Sequence, residues 1–562
     1  MAALVNLPDS VLLDMLTCGC LNAKDILQFG LTCSRFHTLT SSNIIWKKLC
    51  DQTWPGLLKK DDSFFKVLNT LTVSLCGKWK IIYQQINKVI TQVWNLYENH
   101  FIDDQIDDEV FIVFECFVKN YTYSFVRELL LAICEENCQF SDLTLIYYCK
   151  EVLRHITCSH IASELKQILD HDHEGNECSE HAEDTRPLSS LMSGVLLIDK
   201  WFNFDRNISK ASIANFIGTN AGKVLSHFKT VKSSTDKNEL EADLLMKSLK
   251  KVFFYDLGFC GNVGDHYCLT NSFLHHVIKS RKDIPIFLSI VCREIASNIG
   301  IKLDCINYPQ HFLLRWERET KLADKDFSCY RFIDVSNGFE VKTYSEITAG
   351  VRDVNILTGP GATTYEVLCC ICRNIQLFAN ATGHSYPTWL KLHLLNLCIH
   401  LMPDEHEAAK NKLLSKNDEM KEAKEIVYSR IYLRTSEANE GMKYSIGMIM
   451  KDRFDHDTCV INGWDNFCLI SEEWIPHMHV NECKEKRLFY QVLANNGIRY
   501  APEDLLTPVR CSEKVEHKEM GRYFSKFVTD GNYSYYTPNS QLALRYPQDS
   551  DATRDFYLGN RF

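Results

Sequence analysis

Between Asp170 and Asp184 the chain carries seven acidic side chains and no lysine or arginine, in the run LDHDHEGNECSEHAEDTRP. Such a segment has little to bury and repels itself, so it does not join a packed core. It therefore separates whatever folds before it from whatever folds after it. The chain has 562 residues, several times the roughly 100–200 residues of one domain. Three or four domains are expected, with residues 169–187 as an acidic flexible linker.

Apolar periodicity changes along the chain. Residues 4–50 read as a compact helical unit. Asp9 or Ser10 is placed to cap a first helix. Val11, Leu12, Met15 and Leu16 form one stripe at helical spacing. Asn22 with Asp25 reads as a variant of the capping box, and Ser42 and Asn43 precede a third short helix, IIWKKLC. Helical patterns rich in aromatics continue to residue 168. From Leu188 helices come first, then the short strands IKLDCINYP, HFLLRWE and YRFIDVS. Residues 364–436 return to helix, and 442–510 switch to strands, with Asn496-Gly497 a hairpin mark. The end, 547–562, reads as a loose tail.

Composition excludes some classes. The net charge is -10 with no basic block, which argues against a dedicated nucleic-acid binder. No apolar run reaches the roughly 20 residues needed to cross a bilayer. The start, MAALVNLPDS, lacks the basic region of a secretory signal. The 24 cysteines are scattered, several inside helical patterns (Cys134, Cys138, Cys149). That usage reads as free thiols in a reducing compartment, cytoplasmic or nuclear. His171, His173, Cys178 and His181 fit no closed zinc spacing, and Cys369, Cys370 and Cys372 lie in a helical run, so neither metal nor cofactor is expected.

One constellation has the order of a thiol-type triad. Residues 282–300, KDIPIFLSIVCREIASNIG, read as a helix, followed by His311 in PQHFLLRW and Asp334 in RFIDV. A thiolate at a helix N-terminus is stabilised by the orphan N–H groups and the dipole. A neighbouring His takes its proton, and an Asp orients the His. The nucleophile is the open question. Cys292 lies about 10 Å of helix rise beyond Pro285. Ser289 is one turn in, where its hydroxyl is expected to bond back to the Pro285 carbonyl. Cys260, in GFCGN, approaches from a loop.

Three stretches resemble known families. LPDSVLLDML at 7–16, KDILQFGLTCSRF at 24–36 and IIWKKLC at 44–50 resemble an F-box, with Phe36 where that family usually has tryptophan. The resemblance implies a three-helix module at 1–52 that docks on the Skp adaptor of cullin-RING ubiquitin ligases. The adaptor-binding residues it implies are Leu7, Pro8, Leu12, Ile26, Leu27, Phe36 and Trp46. A bundle of this size hides only part of its apolar surface, so a partner would cover Leu7, Pro8 and Ile26.

Residues 188–350 resemble the SirB-type transglutaminase-like domain, through SGVLLIDKWFN, FYDLGFCGN, NSFLHHVIKSRKDIPIFLSIV, PQHFLLRW and FIDV. The family's helix length puts the nucleophile at or beside Pro285, a residue with no nucleophile. The resemblance thus implies a relic triad of Pro285, His311 and Asp334, with no intrinsic catalysis. The rival reading is an enzyme with residual transglutaminase or amidase activity.

Residues 441–546 resemble the YccV-like (HspQ-type) domain, a small β-barrel, through YSIGMIM, CVINGW, FYQVLANNGIRYAPEDLL and GRYFSKF. That family is associated with hemimethylated DNA and with delivering proteins to proteases. Lys443 to Arg545 holds 13 basic and 14 acidic residues, which lacks the net basic face a phosphate surface needs. Trp464, Trp474 and Tyr490 are instead candidates for contacting a client protein, with the core as the competing place for them.

The expected fold is multidomain α+β. It has an N-terminal three-helix F-box and a helical region at 53–168, then a transglutaminase-like α+β domain with a helical extension at 351–440, and a C-terminal small β-barrel. In this order the three resemblances are similar to the F-box only proteins. They imply a substrate-recognition subunit of an SCF (Skp-cullin-F-box) E3 ubiquitin ligase that delivers client proteins for degradation. An adaptor-bound scaffold without client delivery is a further alternative.

Overall fold

The structure is a computed structural model that describes residues 2–55, 57, 79–100, 123–134, 142–173, 188–206, 208–234, 240–262, 272–308, 311–318, 327–348, 355–381, 388–401, 431–435, 442–453, 456–465, 488–495, 497–510, 513–529 and 532–558. It forms two compact units: Met1–Ile156 with Ser415–Phe562, and Thr157–Leu414. Most of the acidic stretch, the charged segment 405–425 and Trp474 lie outside the described residues.

The first unit begins with helices α1 (Asp9–Leu16), α2 (Ala23–Gly30), α3 (Ser34–Thr40) and α4 (Asn43–Thr53). The Asn22–Asp25 capping box forms as expected: the Asp25 N–H donates to Asn22 Oδ1 at 3.0 Å, and the Asn22 N–H to Asp25 Oδ2 at 3.1 Å. The first helix differs from expectation. Its N-cap is Pro8, no side chain caps it, and Asp9 is already inside the first turn. Further helices follow: α5 (Trp79–His100), α6 (Tyr123–Cys134) and α7 (Leu143–His173), whose residues from Thr157 on belong to the second unit. Trp46 and Trp54 pack against Tyr83 of α5 at 5.4 and 4.7 Å between ring centroids, so the small bundle seats part of its apolar surface on the helical region.

The second unit is the mixed one. Helices α8 (Ser190–Phe202), α9 (Lys210–Ser234) and α10 (Glu241–Lys250) are followed by a short strand β1 (Cys260–Gly261) and helix α11 (Leu274–Ser280). Strand β2 (Lys282–Asp283) pairs parallel to β1 and leads into α12 (Pro285–Asn298). A four-stranded antiparallel sheet then runs β3 (Leu303–Tyr308), β4 (His311–Glu317), β5 (Tyr330–Asp334) and β6 (Glu340–Thr343), in that order. Helices α13 (Thr364–Ala381) and α14 (Thr388–Leu401) close the unit.

Helix α12 is buried nearly all round, with Ile286, Phe287, Leu288, Ile290, Val291 and Ile295 inside. Buried residues of α8, α9, α12, α13 and α14 join those of β3 and β4 in one continuous core. Cys369 and Cys372 belong to that core. Glu294 of α12, 2% exposed, caps α8 from a distance: its carboxylate accepts from the Ser189 N–H at 2.8 Å and the Ser189 hydroxyl at 2.5 Å.

The C-terminal strands return to the first unit. They are β7 (Ile449–Asp452), β8 (Thr458–Asp465), β9 (Phe489–Ala494), β10 (Gly497–Pro502), β11 (Leu506–Pro508), β12 (Phe524–Thr529) and β13 (Ser534–Pro538). One sheet has the order β10-β9-β8-β7-β11 and a second pairs β12 with β13. A single bridge, Met448 to Tyr535, links them. The strands come where the sequence puts them, but among the described residues the sheet does not close into the expected barrel. The segment 547–562, expected to be loose, instead holds helix α16 (Asp549–Leu558) after α15 (Ser540–Arg545). Phe556 and Tyr557 of α16 pack on the core of this module.

Candidate functional site

The first four helices carry a concentration of exposed apolar side chains. Val5, Val11 and Met15 are 47%, 40% and 46% exposed, Leu27 is 39%, Leu31 82% and Ile44 66%. Pro8 is exposed and Leu7 half-buried. An apolar surface left wet on so small a bundle is the mark of a docking face. The expected stripe of α1 is split by the helix geometry. Leu12 and Leu16 face inward while Val11 and Met15, also four apart, face out.

Four residues expected to touch an adaptor therefore hold the bundle together instead. Leu12, Ile26 and Phe36 are 1% exposed and Trp46 is fully buried. Phe36 stacks on Phe29 at 4.2 Å, and the Trp46 indole N–H donates to the Thr40 carbonyl at 2.6 Å. A motif preserves core and surface residues alike, so it does not tell them apart. The pairs Val11/Met15 and Leu12/Leu16 share the same i, i+4 spacing, so periodicity alone does not say which of them faces out.

Arg35 fixes the Leu7-Pro8 turn onto this face. Its guanidinium donates to the Leu7 carbonyl at 2.7 Å, to Asp9 Oδ1 at 2.9 Å through Nε, and to the Val5 carbonyl. Arg35 and Asp9 also line a shallow cleft with Leu13, Thr38, Leu39 and Ser42. The F-box resemblance implies an adaptor at these helices, and on that reading Arg35→Ala is expected to weaken its affinity about tenfold, because the turn loses its clamp. Arg35→Lys should recover little of that, since an ammonium lacks the guanidinium fork. Calorimetric titration of the three proteins checks both.

The second candidate is the triad frame. Pro285 is the first residue of α12, behind the N-cap Ile284. His311 opens β4 and Asp334 closes β5. These strands are antiparallel with Leu314 opposite Ile333, so both residues sit at one end of the sheet. Their side chains come to 3.9 Å between His311 Nδ1 and Asp334 Oδ2, beyond hydrogen-bond range. Asp334 is buried and already occupied: Oδ1 accepts from the Ser336 hydroxyl at 2.7 Å and the Asn337 N–H at 3.1 Å. The His311 side chain is 53% exposed.

The thiol and hydroxyl candidates separate. Cys292 is fully buried, and burial pushes its thiol well above the ordinary range, which suits packing and not attack. Ser289 is also fully buried, but its hydroxyl has no hydrogen-bond partner among the described residues, so the expected bond to Pro285 is not made. Cys260 is half-buried in β1, and its N–H donates to the Arg281 carbonyl at 3.0 Å. The next residue, Gly261, donates to the Ser336 carbonyl at 3.2 Å. A Cβ there would stand 2.8 Å from that oxygen, so only glycine lets β1 approach the end of β5.

A tighter Asp–His pair lies elsewhere in the unit. Asp199, 1% exposed, accepts from the His275 N–H at 2.7 Å and meets its Nδ1 at 2.8 Å. It also accepts from Asn203 at 2.9 Å. The carboxylate caps the start of α11, a structural task. No local cap pattern announces it, because donor and acceptor are 76 residues apart.

In the C-terminal module, Trp464 is 1% exposed and Tyr490 fully buried. Trp464 Nε1–H donates to Asp549 Oδ2 at 2.8 Å, and the Tyr490 hydroxyl to Glu503 Oε2 at 3.0 Å. Both are core residues, which removes them from any client-contacting surface.

Three stretches of the chain match known families. Residues 4–52 match the F-box-like family, 222–359 the transglutaminase-like superfamily, and 442–531 the family described as hemimethylated DNA-binding protein YccV like. The chain is 28% identical to F-box only protein 21 of Pongo abelii, over 98% of this chain and 92% of the relative. It shows the same identity and coverage to F-box only protein 21 of Homo sapiens. A UPF0162 protein of Xylella fastidiosa is 30% identical over 22% of this chain and 41% of its own. No solved structure matches the chain significantly. The chain thus carries F-box-like, transglutaminase-like and YccV-like domains in that order.

Proposed function

We propose that this chain, with its F-box-like, transglutaminase-like and YccV-like domains, is the substrate-recognition subunit of an SCF E3 ubiquitin ligase. The observation that carries the reading is the set of exposed apolar side chains Val11, Met15, Leu27 and Leu31 on and just after the first two helices, together with the Leu7-Pro8 turn that Arg35 clamps. A Skp-type adaptor covers them, and the adaptor links the chain to a cullin-RING core. The remaining modules hold a client protein. Ubiquitin transfer then belongs to the RING subunit and its conjugating enzyme, so the chain acts by raising the client's local concentration. The cytoplasm and nucleus, where such ligases work, are the compartments this implies.

The middle domain acts in this reading without chemistry of its own. Pro285 at the helix head offers no nucleophile, and the 3.9 Å separation of His311 and Asp334 leaves the imidazole unoriented. Nucleic acid is not a partner, given the balanced charge of the C-terminal module.

The test compares ubiquitin-remnant peptides in cells lacking the chain with cells re-expressing it. Wild type and His311→Ala are both expected to restore the same set of modified proteins. If His311→Ala fails to restore them while remaining folded and adaptor-bound, the chain works through its own catalysis. If wild type restores none, the receptor reading itself falls.

A further inference from the structure

Arg281 follows α11 at φ +63°. Glycine takes this left-handed conformation at helix ends without strain, and a bulky residue does not. The backbone there is fully used. The Arg281 N–H donates to the Val277 carbonyl at 2.9 Å, and the Arg281 carbonyl accepts from the Cys260 N–H at 3.0 Å. A glycine would make both bonds, so neither explains an arginine at a strained position.

The guanidinium stands in the corner of two aromatic rings. Its central carbon lies 4.5 Å from the Phe216 centroid and 4.9 Å from that of Phe259, and the two rings are inclined at 71°. Two such contacts hold the cation in one place. Among the described residues no carboxylate meets it, and its buried Nη1 has no hydrogen-bond partner. Burial holds the group below the ordinary arginine range. Arginine is seldom buried without a partner, because an unmet donor costs stability. Arg281 as a whole is half-buried, as is Phe216, so the corner reaches the surface. Lys279 and Lys282 are exposed on either side of it in the chain.

We propose that Arg281 is an oxyanion anchor that binds a carboxylate in an acidic segment of the client protein. The client's part in this rests on the receptor reading above. A carboxylate that enters beside Phe216 accepts from Nη1 and a second guanidinium nitrogen together, the bidentate contact that suits a planar fork. Lys279 and Lys282 add attraction at longer range. The anchor uses neither His311 nor Asp334. It holds by charge and shape, without chemistry.

The test measures binding of a fluorescein-labelled hexaglutamate peptide to the full-length protein, with hexaglutamine as the uncharged control, and follows melting alongside. Wild type should bind hexaglutamate and not hexaglutamine. Arg281→Gly should bind hexaglutamate about tenfold more weakly. It should melt no more than about 2 °C below wild type, because it removes both the backbone strain and the unmet donor. Arg281→Lys should also bind weakly, since an ammonium lacks the fork, whereas Lys279→Ala should lose less than about threefold, as a solvated charge does. Arg281→Gly melting well below wild type would mean that the guanidinium serves only to pack against its rings, and the anchor would be overturned. Hexaglutamate binding unchanged in Arg281→Gly, or in Arg281→Lys, would overturn it as well. In the ubiquitin-remnant comparison, Arg281→Gly should restore fewer modified proteins than wild type, and full restoration would remove the client from the anchor. If wild type restores none, the receptor reading fails, and the peptide affinities still decide the anchor.

Discussion

Met15→Asp combined with Leu31→Asp should abolish capture of a Skp-type adaptor by the full-length chain while leaving its melting temperature within about 2 °C of wild type. Met15 is 46% and Leu31 82% exposed, and neither belongs to the small core of Leu12, Phe36 and Leu39. Surface changes away from caps and cores usually cost within about 0.5 kcal/mol. Binding is another matter, because two charges would be buried without partners at the centre of an apolar contact. A loss of about 100-fold or more follows, equal to roughly 2.7 kcal/mol. Leu12→Asp provides the contrast. It should lose binding as well, but by unfolding the bundle, which the melting curve will report. An affinity for the Met15/Leu31 variant within threefold of wild type would remove this face from the docking surface.

The sequence was legible where local rules decide. Asn22 and Asp25 satisfy each other across one turn, and Pro285 opens a helix because its missing N–H is an orphan there anyway. Helix, His and Asp came in order, and antiparallel pairing brought the last two to one end of a sheet. What could not be read was direction. Val11 and Leu12 are adjacent and equally apolar, yet one is 40% exposed and the other 1%. Only packing against α3 distinguishes them. The same limit applies to Trp464 and Tyr490, whose polar tips meet Asp549, 85 residues on, and Glu503, 13 residues on. Arg35 was visible as part of a motif, but its role in gripping the Leu7 carbonyl depends on a turn 28 residues away.

The tail departs from its expected looseness for a related reason. YPQDSDATRDFYLGNRF is polar at short range and lacks an apolar stripe. Its contribution comes through a few residues that reach into the core. Asp549 is fully buried. Its carboxylate accepts from Trp464 Nε1–H at 2.8 Å and the Ile446 N–H at 3.0 Å, and Arg434 Nη1 stands at 3.4 Å. Thr553 donates to the Ile446 carbonyl at 2.8 Å. One helix thus ties down β8, the start of the sheet and the segment 431–435.

Asp549→Ala is therefore expected to destabilise the C-terminal module by about 3 kcal/mol, since it leaves a buried indole N–H and a buried backbone N–H without their acceptor and takes the carboxylate from the Arg434 guanidinium, which keeps the Tyr444 and Met442 carbonyls. Asp549→Asn should cost less, because its carbonyl keeps one acceptor for the indole. The pH dependence separates charge from shape. Desolvation raises the Asp549 carboxyl above its ordinary value of 3.8, against the pull of Arg434. Folding thus holds that proton more tightly than the unfolded chain does. The stability this proton linkage supplies is complete below the unfolded value and is lost as pH rises through the raised folded value. Denaturant titrations of wild type and Asp549→Asn across that window should differ in slope, with the wild type losing stability faster as pH rises. Parallel curves would mean the carboxylate is fully compensated by Arg434, and an Asp549→Ala protein as stable as wild type would mean α16 does not anchor the module.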